Sequence, residues 1–157
     1  MESGRIRSRV RPLFVISDFK KLRVWYIAHA LILNTNRIAS SISGTRYAAL
    51  RNQMDRAAMS VGANIVEGRQ QRSEREFARF LGYALASVSE LENHLIVARD
   101  IRAITRGDYN LLVGQLTEVR KMLHGLLTRL DQSAKVTGKR PVPSPAADGD
   151  QRSAGGG

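Results

Sequence analysis

Two stretches in the second half of the chain space their apolar residues so regularly that they leave one class of fold. Phe77, Leu81, Ala84, Val88, Leu91, Leu95 and Ala98 alternate steps of four and three without a miss. Tyr109, Leu112, Leu116, Val119, Leu123, Leu126 and Leu130 do the same. A mean step of about 3.5 residues keeps such a set on one face of a helix, and sustained it signals coiled-coil-like packing of helix on helix. A half-buried strand needs a step of two, and no strand signal competes here.

The first half reads as two more helices. Phe19, Leu22, Trp25, Ala28, Ile32, Thr35 and Ile42 share one face, with Ser17 or Asp18 as the cap, and Val24, Ile27 and Leu31 make a second apolar edge. Gly44 stops this helix. Tyr47, Leu50, Met54, Ala57, Val61 and Ile65 mark the second, whose small residues 57–64 invite the close approach of another backbone. Gly68 fits the left-handed position after its end. Ser73 and Glu76 have the spacing of a capping box: the Ser73 hydroxyl takes the Glu76 amide and the Glu76 carboxylate reaches back. We expect helices over about 18–42, 46–67, 74–103 and 106–132. Short connections make sequential neighbours antiparallel. The expected fold is all-α, an antiparallel up-down-up-down four-helix bundle over 18–133. Residues 1–17 read as a flexible basic segment, and 134–157, rich in Pro, Gly and Ser, as a disordered tail. Val24, Ile27 and Leu31 on the first helix, with Phe80, Leu85 and Ile96 on the third, are more apolar surface than one shared core needs, which points to a subunit interface, the alternative being a wide stripe within a monomer.

Composition narrows the function. The 157 residues include no Cys, which excludes disulfides, thiolate chemistry and Cys-based zinc sites. The apolar run PLFVI is too short for a signal-peptide core, and none approaches the roughly 18 residues of a membrane span; we expect a soluble, cytoplasmic protein. The net charge is +11, and Arg, the residue whose planar fork suits phosphate, dominates over Lys. Such a field attracts nucleic acid or an acidic protein surface. Aromatic residues make up only 6% of the chain, too few to expect base-stacking platforms.

No catalytic constellation emerges. Glu90 and His94 stand one turn apart, but the Glu-x-x-His spacing of di-iron bundles is absent, as are the Gly-rich phosphate loops of nucleotide-binding folds. We therefore expect a non-enzyme with no metal and no cofactor. The candidate residues are basic. Arg69, Arg72, Arg75 and Arg79 follow one another through the second interhelical corner, with Arg51 and Arg56 preceding them and taken to point to the same end. Lys20, Lys21 and Arg23 open the first helix. These nine are the candidate nucleic-acid contacts; local pairing with Glu74 and Glu76 is the alternative. Asn64, Glu67, Gly68, Ser73 and Glu76 read as structural, with Asn64 bonding loop backbone and Glu67 pairing with Arg56, Arg69 or Arg72.

Three phrases carry a resemblance: FKKLRVWYIAHALIL (19–33), YAALRNQMDRAAMSVGANIVEG (47–68) and SEREFARFLGYALASVSELENHL (73–95). In order and spacing they resemble the four-helix-bundle proteins encoded within intervening sequences of bacterial large-subunit ribosomal RNA. The accessory variability proteins of diversity-generating retroelements share that bundle and match less well. The resemblance covers about 18–131. It implies a homopentamer, a tapered barrel around a central channel. Through the accessory proteins it suggests binding of RNA or DNA by basic surface residues and a protein partner such as a reverse transcriptase. The chain departs from the family where SISGTRYAAL lacks the usual Phe-Pro pair and acidic residue, where Asp55-Arg56 replaces two adjacent arginines, and where Ala86-Ser87 replaces a Gly-Ser pair.

Overall fold

The structure, a computed structural model, describes residues 18–138. The expected flexible segment 1–17, and the expected tail from residue 139 onward, lie outside the described residues. Within them all regular structure is helical: α1 (Arg23–Ser41), α2 (Ala48–Arg69), α3 (Glu74–Asp100) and α4 (Arg106–Gly138), with single 3-10 turns at Phe19–Lys21 and Thr45–Tyr47. Each long helix packs on two others, α1 and α3 both lying between α2 and α4, and the backbones of the diagonal pairs stay apart among the described residues. This is the four-helix bundle that the apolar spacing requires. The α3 seam from Phe77 to Ala98 is buried throughout, and Leu112, Leu116, Val119 and Leu123 of α4 are buried against it. Burial of each large aliphatic side chain contributes about 2 kcal/mol.

The first helix differs from its expected form. Asp18 caps only the 3-10 turn, its carboxylate accepting the Lys20 amide at 3.0 Å, and Leu22 is extended before α1 begins. That break turns Phe19 and Leu22 off the stripe of α1. The buried seam is then Val24, Ala28, Leu31, Thr35, Ile38 and Ile42, in four-three spacing like those of α3 and α4, with Ala39 buried beside it. Val24 and Leu31, expected on an outer edge, belong to the molecule's own core. The large apolar residues left outside on α1 are Tyr26 and Leu33, 57% and 58% exposed. On α3, Ile96 is exposed while Phe80 and Leu85 are half-buried.

The helix ends are made by local chemistry. The Ser73 hydroxyl accepts the Glu76 amide at 3.2 Å and so starts α3, while the Glu76 carboxylate turns to Arg79 at 2.7 Å rather than back to the cap. Thr105 and Asp108 form a second capping pair at α4: the Thr105 hydroxyl accepts the Asp108 amide at 3.0 Å and donates to the Asp108 carboxylate at 2.7 Å. After α3 the Ala103 amide reaches the Ala98 carbonyl and the Arg102 amide the Arg99 carbonyl. This Schellman closure holds Arg102 at φ 57°, the left-handed conformation usually given to glycine. At the other end α4 continues through Gly138, several residues past its expected end at 132, so the first residues assigned to the tail are helix. Ser133 is tied to the bundle there, its hydroxyl donating to Glu74 at 3.4 Å.

Gly68 corrects another expectation. It is helical and buried within α2, not a left-handed stop after it, and the positive-φ glycine among the described residues is Gly44, at φ 95°. What Gly68 supplies is room: a Cβ there would lie 2.7 Å from Phe80 Cβ and 3.1 Å from the Phe77 ring. At Gly62 the atom met, also at 2.7 Å, is the mobile tip of Ile32. We expect Gly68→Ala to destabilise the bundle by about 1–3 kcal/mol through overpacking, and Gly62→Ala to cost less because Ile32 can turn aside. Urea unfolding followed by circular dichroism measures both.

Candidate functional site

Bundle topology decides which charges share an end. In an up-down-up-down bundle the start of α1, the α2–α3 corner and the end of α4 lie together. The corner arginines therefore join the basic group that opens α1. Lys20, Lys21 and Arg23 are exposed on one side, and Arg72, Arg75 and Arg79 are exposed on the other. Arg69, half-buried between them, lays its guanidinium over the Phe77 ring at 5.6 Å. Arg79 is ion-paired with Glu76 and lies over the rings of Phe80 and Tyr83. Arg72 and Arg75 meet no carboxylate among the described residues. Of the two local acids weighed as their partners, Glu76 serves Arg79 and Glu74 accepts the Ser133 hydroxyl.

Two expected members do not belong to this group. Arg51 and Arg69 are 18 residues apart on one straight helix, about 27 Å along its axis, so they mark opposite ends of the bundle. Arg51 has a structural task there. Its guanidinium donates to the carbonyls of Ile42 and Gly44, both at 2.9 Å, and holds the α1–α2 connection closed. Arg56 is exposed near the middle of α2, about 20 Å from Arg69 by the same rise. The structural group also differs in detail. Asn64 donates to the Ser60 carbonyl at 2.9 Å and the Ser60 hydroxyl at 3.2 Å, one turn back in its own helix rather than to a loop. Ser60 in turn accepts from Ser87 of α3 at 2.9 Å, so the three form a polar contact between α2 and α3. Glu67 is exposed and, among the described residues, forms no ion pair; its carbonyl accepts from the Gln70 backbone and the Gln71 side chain to close the helix.

The spacing of single helices did not reveal the contribution of α4. Lys121, Gly125 and Arg129 stand at successive steps of four on one face, and that face closes beside the start of α1. The stripe is visible in the sequence; its neighbour is not. A second basic group sits at the far end, where Arg99, Arg102 and Arg106 line a cavity of about 480 Å³. Arg99 is engaged there by Asp100 at 2.8 Å and by the Tyr109 hydroxyl at 3.0 Å, and hydrogen bonding to Asp100 raises its guanidinium pKa further.

The histidines do not assemble. His94 lies 3.7 Å from Glu90, His29 stacks on Trp25, and His124 is exposed. Among the described residues no three His, Cys, Asp or Glu side chains are placed to hold a metal ion. No described helix is long and apolar enough to cross a membrane.

Residues 20–125 match the family described as the 23S rRNA-intervening sequence protein. The chain belongs to this family. In three dimensions it is similar to a protein of unknown function from the S23 ribosomal protein family of Bacteroides thetaiotaomicron, whose crystal structure was solved at 1.70 Å. The two share 25% sequence identity over 66% of this chain and 97% of the other, with a TM-score of 0.62. No curated protein matches the chain. The neighbour shares the fold and is itself described as a protein of unknown function.

Replacing Arg51 removes two charge-assisted hydrogen bonds to carbonyls and touches nothing at the basic end. Arg51→Ala is expected to lower stability by about 1–2 kcal/mol. Thermal melting followed by circular dichroism checks this.

Proposed function

We propose that the protein is a non-enzymatic, homopentameric helical scaffold that binds nucleic acid through its phosphate backbone. The observation that carries this reading is the convergence of Lys20, Lys21 and Arg23 with Arg69, Arg72, Arg75 and Arg79 at one end of the bundle. Repeated around a ring, that end becomes a band of positive charge. A band held by charge alone releases counterions on binding and reads no bases. Binding should therefore fall steeply with salt and show little sequence preference. Filter binding of unrelated RNA and DNA sequences at low and moderate salt measures this, and absence of retention even at low salt sinks the reading.

The oligomer is supported by apolar residues on opposite sides of the bundle. Tyr26, Leu33 and Leu111 are exposed on α1 and α4, and Met59 and Tyr83 on α2 and α3. Two unlike apolar surfaces suit a head-to-tail contact, which closes into a ring when the rotation permits. Light scattering should give about five times the 17.4 kDa chain mass; a value near one chain mass contradicts the pentamer and leaves the charge reading to its own test.

A further inference from the structure

Four cations that hold no ion pair among the described residues meet in a groove along the α1–α4 seam. This groove, of about 490 Å³, is walled by Lys21 and Arg23 on one side and Lys121 and Arg129 on the other. No carboxylate lines it. Among the described residues none of the four cations is ion-paired, unlike Arg79, Arg99 and Arg120, which each hold an acid. Four like charges facing one another across a groove repel at a cost in stability, and an anion seated between them reverses the sign. The backbone adds to this field. Leu22 and Arg23 open α1 at the rim, no side chain caps that end, and no acidic residue sits in its first turn. The positive end of a 19-residue helix dipole thus meets the groove.

The floor is of another character. Leu22, Met122 and Leu126 line it between the charged walls. Gly125 lines the groove too, and a Cβ at that position would stand in open space with nothing within 4 Å. Cationic walls over an apolar floor suit a strand whose phosphates and sugar or base faces are available together. A duplex keeps its base faces stacked inside and offers phosphates, sugars and groove edges instead. The groove also leads onward. Arg129 and Leu126 line a second, smaller cavity as well, of about 310 Å³, whose lining also includes Arg69 and one carboxylate, Glu74, which accepts the Ser133 hydroxyl. The track therefore runs from the α1–α4 seam round to the α2–α3 corner.

We propose that this groove is a seat for single-stranded nucleic acid, with Lys21, Arg23, Lys121 and Arg129 gripping successive phosphates and the apolar floor taking a sugar or base. The proposal rests on the nucleic-acid reading above and adds to it a place and a preference for single strands.

Fluorescence anisotropy of the full chain with a labelled 15-nucleotide oligouridine, and with a duplex of equal length, tests it at low salt. The wild type should bind the single strand more tightly than the duplex. The Lys121→Glu/Arg129→Glu double variant should lose about tenfold or more in affinity and flatten the logarithmic salt dependence by about 0.7 per phosphate contact removed. Arg46→Glu/Arg102→Glu, with the same charge change at the far end, should lose much less. Gly125→Leu, which adds bulk to the groove without changing charge, should weaken single-strand binding several-fold with a melting temperature no lower than the wild type's, since leucine favours the helix over glycine. Equal losses in the two charge-reversed variants, or full binding by Gly125→Leu, overturn the groove and leave non-specific binding standing. Failure of the wild type to bind either probe overturns both.

Discussion

Mutual burial of four apolar seams is the constraint on which the molecule depends. Each helix carries one stripe in four-three spacing, and a square of helices is the arrangement in which every stripe finds two others. The close contacts follow from it. Where α2 approaches α3, the backbone at Gly68 sits directly against Phe80 and Phe77, and even one added carbon has no place. Interiors packed to crystal density tolerate little displacement. The seams therefore fix helix order and rotation, and so which surface residues become neighbours.

Charge is arranged on that frame in two ways. Some cations serve the fold: Arg51 closes the α1–α2 connection, Arg120 joins Glu92 across α3 and α4, and Arg99 lies on the Tyr109 ring while bonding Asp100. Others hold no ion pair among the described residues and cluster where helix ends converge. Exposed ion pairs contribute little to stability, typically under about 1 kcal/mol, so folding does not explain the placement of Lys21, Arg23, Lys121 and Arg129. Their arrangement is what the proposed seat for an anionic strand rests on.

Much of this was legible from periodicity, because a helix maps sequence spacing directly onto a face. The α3 and α4 seams, the Ser73 cap and the four-helix class needed no coordinates. The misreadings came where two patterns overlapped or where one residue had two physical uses. On α1 two apolar stripes were available, and the extended Leu22 selected the one through Val24 and Leu31. Gly68 suited a left-handed stop, yet its smallness was used for packing instead. Arg51 looked like one more member of a basic run, while its guanidinium was committed to the carbonyls of Ile42 and Gly44.

The amino-acid sequence by itself determined the number of helices, the face each one buries and the excess of positive charge, since these depend on residues within a few turns of one another. Only the tertiary structure decided which charges meet. Lys21 and Arg129 are remote in the chain and stand across one groove, while Arg51 and Arg69 share a helix and stand at opposite ends. Local spacing encodes faces, but proximity between faces is set by the way the seams close, and that is a property of the whole bundle.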